Sequence, residues 1–300
     1  MDFKRECYYG DGKRIKNFEK IFDMKKIIIK NNSNEITADV FCFLDYKNIE
    51  YKNKENFVDQ LIENFPEISK IGYAGFKDAE NLKEYLVKVV FDSGKFEKNS
   101  KVSFDEKKIQ KIVSDYILKC KEKLNSDRTY IFIFPNFSQF KKEKMNGVGG
   151  LCCWKNTILV DINPVKGWQS QLAQTLCHEF HHSIIAKKRN PQTWTLLEGL
   201  VYEGMADNFA KSITGRASLW TRAISPKESR VIFEKIKNRL NKNDANIYQQ
   251  VFFGKNGKYP FWVGYAIGYQ MVRSYLEKNS DLNWNEISKR SVLEILKNYF

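Results

Sequence analysis

The chain of 300 residues contains three histidines, and all of them fall between positions 178 and 182. His178, Glu179 and His182 form the pattern H-E-x-x-H. A helix stacks residues four apart on one face, one above the other. In a helix, then, both imidazoles reach one metal ion, and Glu179 stands beside them, close to a water on that ion. The flanking residues agree with a helix. Leu172, Leu176, Phe180 and Ile184 recur at helical spacing from about Trp168 to Lys188, and Asn190-Pro191 supplies a stop.

A catalytic zinc takes three protein ligands and leaves a fourth position for water. The next helix, with a capping box at Thr195 and Glu198 and an end at Gly215, offers three carboxylates: Glu198, Glu203 and Asp207. Glu198 is occupied by the cap. Glu203 and Asp207 lie one turn apart, which suits Glu203 on the metal and Asp207 accepting a hydrogen bond from a ligating histidine. Gly199, Gly204 and Ala206 are expected to let this helix lie close to the first. His181, beside the metal face, is expected at the surface or in support of a ligand. The ligand types point to zinc, one Zn2+ per chain.

Two other readings stay open. Cys152 or Cys153 could replace Glu203 as third ligand, as in peptide deformylases, which would leave Glu203 and Asp207 without a role. Alternatively, the chain is a basic nucleic-acid-binding or regulatory protein with structural zinc. Such a site wants four protein ligands, and nothing near the motif supplies the fourth.

Composition narrows the classes. A hydrophobic content of 42% with 14% aromatic residues indicates a globular chain. No apolar run approaches the ~20 residues of a membrane span, and Met1–Glu6 lacks the apolar segment of a signal peptide, so a cytoplasmic protein is expected. The six cysteines form no C-x-x-C pair, which favours reduced thiols. The net charge of +14 is spread as lysine along the chain, more like a solvated surface than a nucleic-acid groove. Neither a membrane nor a nucleic acid is an expected partner.

Strand patterns appear at Lys26–Ile29, Ile36–Leu44, Thr129–Phe134 and Thr157–Ile162, the second apolar on both faces. Helical spacing marks Phe57–Phe65, Ala79–Val90 and Ile109–Leu124, the last opened by a Ser103/Glu106 capping box. Further helices follow Ser225-Pro226, span Trp262–Glu277 and follow Ser291. Gly147–Trp154 reads as a loop or bulged edge strand. The polar stretch 92–102 divides an N-terminal α/β region of unknown role (1–102) from the part carrying the motif (103–300).

Several strings resemble a known family: His178-Glu179-Phe180-His181-His182, Glu198 through Asp207, and Gly264-Tyr265-Ala266-Ile267-Gly268-Tyr269. They are similar to the gluzincin, or thermolysin-like, metallopeptidases, and more closely to the bacterial YjaZ-type zinc-dependent proteases. The resemblance covers roughly residues 125–300; the zinc motif is specific, the Gly-Tyr string a soft marker. It implies an α+β, zincin-like fold, with a mixed sheet whose edge strand lies over the active-site helix and a largely helical C-terminal part. It further implies hydrolysis of a peptide or protein substrate by zinc-activated water, with Glu179 as general base. A tyrosine, Tyr265 or Tyr269, would stabilise the oxyanion. By position, Gly149, Gly150 and Leu151 would lie along the substrate.

Overall fold

A computed structural model describes residues 25–44, 54–64, 83–84, 86–87, 103–185 and 194–299. The expected helix Ala79–Val90, the boundary at 92–102 and the Asn190-Pro191 stop lie wholly or largely outside the described residues.

The alternating apolar segments form one mixed sheet. Its strands are β1 (Lys25–Lys30), β2 (Ile36–Cys42), β3 (Thr129–Pro135), β4 (Val148–Trp154) and β5 (Thr157–Ile162), in the order β1-β2-β3-β5-β4. β2, β3 and β5 run parallel, whereas β1 and β4 are antiparallel edges. β2 pairs directly with β3 from Ala38↔Thr129 to Cys42↔Ile133, so the sheet takes strands from both sides of residue 102.

Side chains alternate along each strand. Val40, Cys42, Ile131, Ile133, Ile158 and Val160 therefore share one core, with helices α2 (Glu106–Lys123) and α4 (Trp168–Ile185) packed into it. Phe41 stacks on Phe132 and Phe43 on Phe134, and all four rings are buried. Both faces of β5 are buried throughout, including Asp161, which is paired with Lys141 and Asn136. A short helix α1 (Lys54–Asn64) lies between β2 and α2 in the chain.

α2 differs from expectation at its start. Asp105, not Ser103, is the cap, and its carboxylate accepts from the Lys108 N–H. Aspartate caps as well as serine, so two plausible starts stood two residues apart. A further helix, α3 (Gln139–Lys144), capped by Ser138, precedes the edge strand β4.

The C-terminal part is helical. α5 (Leu196–Thr214) opens with the reciprocal Thr195/Glu198 box and closes at Gly215 in the left-handed conformation (φ 74°). After it come a 3-10 turn (Leu219–Arg222), α6 (Pro226–Ile236, with a Ser225/Glu228 box) and α7 (Ala245–Phe253). The chain continues through α8 (Val263–Lys278), α9 (Trp284–Ile287) and α10 (Val292–Leu296). α5 lies between α4 and α8 and contributes to a second core with α7, α8 and α10.

The glycines of α5 do not serve α4, as expected from sequence. A Cβ on Gly204 would stand 2.1 Å from the Gly268 carbonyl oxygen, and one on Gly268 would stand 2.0 Å from Leu200 O. Gly199 clears space for the Tyr248 ring. The close approach is made to α7 and α8, whereas α4 meets α5 through larger side chains, the ligand group and the Phe180–Phe209 stack. Among the described residues, no helix is long and apolar enough to cross a membrane.

Candidate metal centre

α4 is buried almost all round, and its histidines and its glutamate all lie in the second half. Helical spacing stacks His178 and His182, and α5 faces them with Glu203. The two Nε2 atoms are 3.0 Å apart, and Glu203 Oε2 lies 3.2 Å from His178 Nε2 and 3.3 Å from His182 Nε2. All three ligand atoms fall within 4.8 Å of one another, on buried side chains. The group contains no cysteine: Cys152 is buried but outside it, and the Cys153 side chain is not among those described.

The donor set suits a cation. Asp207 Oδ1 stands 3.0 Å from His178 Nδ1. An ionised carboxylate only accepts, so Nδ1 carries a proton, and in its neutral form the ring turns its Nε2 lone pair toward His182 and Glu203. A shared hydrogen bond can satisfy one pair among these three atoms; a zinc ion at their meeting point satisfies all of them, with the two-nitrogen, one-oxygen chemistry it accepts. His182 Nδ1 is buried with no hydrogen-bond partner among the described residues, so that ring is oriented by packing and by its Nε2 contacts.

Asp207 is held from behind. It also accepts from Ser218 Oγ (2.7 Å) and from Trp220 Nε1, which is 2.9 Å from each carboxylate oxygen. The Trp220 ring meets His178 edge-on at 5.8 Å and tilts against Tyr265 at 5.9 Å. Neither Ser218 nor Trp220 carried a sequence signal, because both sit on an irregular turn with no periodicity. Burial opposes charge on His178, but the Asp207 and Glu203 carboxylates outweigh it and hold its pKa well above the ordinary histidine range. Burial likewise works against Glu203, yet the neighbouring His182 and His178 bring its pKa well below the usual carboxylate value.

Glu179 projects toward the sheet edge. Its carboxylate accepts from the Cys152 backbone N–H, and its pKa is raised chiefly by burial. Gly150 makes this possible: a Cβ there would stand 2.7 Å from Glu179 Cγ and 2.4 Å from Thr175 Cγ2. Asn163 N–H donates to Gly147 O, which sets the phase of the β4–β5 ladder. Antiparallel alternation then pairs Gly149 and Leu151 with β5 and turns the Gly150 N–H and C=O to the free edge. Gly149 instead faces Lys141 and Asp161, and Leu151 lines a cavity of about 110 Å³ with Phe134 and Leu159.

Of the two tyrosines, Tyr265 lies within electrostatic reach of Glu203, Asp207 and Glu179. Burial, then the Glu203 charge, pushes its phenol pKa well above 10. Tyr269 is one turn further on, with its ring 5.7 Å from Lys211 Nζ and its carbonyl accepting from Asn208. Tyr248 of α7, absent from the sequence reading, also feels Glu203 and interacts with Tyr265. His181 is not at the surface. It is fully buried against Phe209 and Trp284, with Nε2 3.3 Å from Ser288 Oγ, because the residue beside a metal face here turns into the α4–α5 core.

A family profile described as "Predicted Zn-dependent protease (DUF2268)" matches residues 109–297. The "Uncharacterized protein YjaZ" of Bacillus subtilis (strain 168) is 31% identical over 107 residues, 34% of this chain and 41% of the relative. The chain thus spans less than half the length of that relative. No solved structure matches.

Proposed function

This chain belongs to the family described as "Predicted Zn-dependent protease", and on that premise we propose that it is a zincin-type peptidase of the gluzincin kind. The observation that carries the reading is the convergence of His178, His182 and Glu203 beside Glu179, at the free edge of β4. One zinc per chain is held by these three residues. When bound, zinc supplies the Lewis acidity that makes water a nucleophile near neutral pH.

The chain's own groups do the rest. The Gly150 N–H and C=O on the β4 edge pair with an extended peptide and draw its scissile bond past Glu179. Glu179 takes the proton of the attacking water on its carboxylate. The same carboxylate, whose pKa burial raises, then returns the proton to the leaving amine. Tyr265, kept as a neutral phenol, donates to the oxygen that gains charge as the carbonyl is attacked. Asp207, gripped by Ser218 and Trp220, keeps His178 in the tautomer that frees Nε2.

Elemental mass spectrometry of the purified protein tests the centre. About one zinc per chain is expected, lost in Glu203→Gln and retained in Glu179→Gln. In a peptide-library assay Glu179→Gln lowers hydrolysis by about a thousandfold. Zinc retained by Glu203→Gln would move the third ligand elsewhere. A protein that takes up no zinc on reconstitution would overturn the reading.

A further inference from the structure

Next to the metal centre, along α4 toward its N-terminus, lies an open cleft of about 320 Å³. Gln171 and Gln174 form its floor, Asn146 one wall, and Arg216, Ser218 and Arg222 the other. Gln174 is one helical turn before His178, about 6 Å along the axis. Asn146 stands in the turn that leads into β4, two residues before its first residue, Val148. A peptide lying on the β4 edge with its scissile bond at Glu179 therefore reaches this cleft two to four residues away.

The walls have one sign of charge. Two guanidinium groups line the cleft, and among the described residues no carboxylate does. Asp207, behind Ser218, is already engaged by His178, Ser218 and Trp220. The floor is braced: Gln174 Nε2 donates to Ser218 Oγ (2.8 Å) and its Oε1 accepts from Thr214 (2.7 Å), while Arg216 donates to Ser170 Oγ at 3.3 Å. Arg222 is exposed at the mouth. Guanidinium groups presented this way match a carboxylate, by paired charge-assisted hydrogen bonds.

We propose that this cleft binds a carboxylate of the substrate, two to four residues from the scissile bond, through Arg216 and Arg222. The inference rests on the peptidase reading and adds a substrate class to it: acidic peptides. The carboxylate can be an aspartate or glutamate side chain or the end of the chain.

Matched peptides test it: one with an internal glutamate and an amidated end, one with a free C-terminus, and one with glutamine and an amidated end. Hydrolysis by the zinc-loaded protein is read as kcat/KM. Binding to Glu179→Gln is read by fluorescence anisotropy. The acidic peptide of the correct type is expected to exceed the neutral one about tenfold in both readouts, and the winning arm identifies the source of the carboxylate. In Arg216→Gln/Arg222→Gln the ratio falls to about one; in Arg222→Glu it inverts in favour of lysine at the same position. Equal values for all three peptides, or a ratio unchanged in the double variant, overturn the proposal. If no peptide is cleaved but carboxylate-dependent binding appears and vanishes in the double variant, the cleft stands and the peptidase reading falls. Cleavage without acid preference has the opposite meaning.

Discussion

α5 has two neighbours and meets them by opposite means. Toward α4 it extends Glu203 and Asp207, and the contact is a set of directed charges and hydrogen bonds around one point. Toward α8 it offers Gly204, and the two backbones touch where Gly268 meets Leu200 and Gly204. Burying polar groups is costly unless every one is matched, so on the α4 side the polar cluster adds little net stability beside the Phe180–Phe209 stack. The α8 side gains close dispersion contact over its length. The site is thus mounted on a helix that α8 packs closely from behind.

Substitutions sharpen this division. Gly268→Ala has the largest expected effect. Alanine improves helix propensity by about 1 kcal/mol, but its Cβ would meet a backbone oxygen at 2.0 Å, which has no rotamer to move. Overpacking wins, and a net loss of about 3 kcal/mol is expected in denaturant unfolding. A gain in stability would break the comparison.

Trp220→Phe acts on the other face. It keeps an aromatic ring against His178 and removes the donor to Asp207. Zinc affinity, measured by chelator competition, should fall about 10- to 100-fold, with a smaller change in the unfolding of metal-free protein than for Gly268→Ala. Equal affinity would mean that Ser218 suffices to hold Asp207. Thr195→Ala is the smallest: it removes the side-chain half of the α5 capping box and should cost about 1 kcal/mol while leaving zinc affinity unaltered. A change in affinity there would show that the helix start, far from the metal, also sets the site.

Much of this arrangement was legible. The i, i+4 histidines, the Thr195 and Ser225 boxes and the strands Thr129–Pro135 and Thr157–Ile162 are local patterns, set by residues within one turn or one pleat of each other. The same locality explains the misreadings. Gly204 could be recognised as a close-contact position, but which helix it contacts is decided by tertiary packing. Asp105 outcompeted Ser103 because both can cap, and the choice depends on burying Ile109 and Val113. α7 was missed, and with it Tyr248. Ser218 and Trp220 were unreadable because a 3-10 turn has no repeat to betray which side faces inward.

The pairing of β2 with β3 joins Ala38 to Thr129, about ninety residues later, and the pair is parallel, so no tight turn can assist it. Closing a loop of that length costs entropy before any contact repays it. α4 docks on the sheet whose centre this pairing completes. The metal ligands are close in sequence, within twenty-five positions from His178 to Glu203, and can find one another early. Refolding should therefore form the helical half first and be limited by return of the N-terminal strands, with the metal ligands and the β4 edge assembled before the sheet is complete.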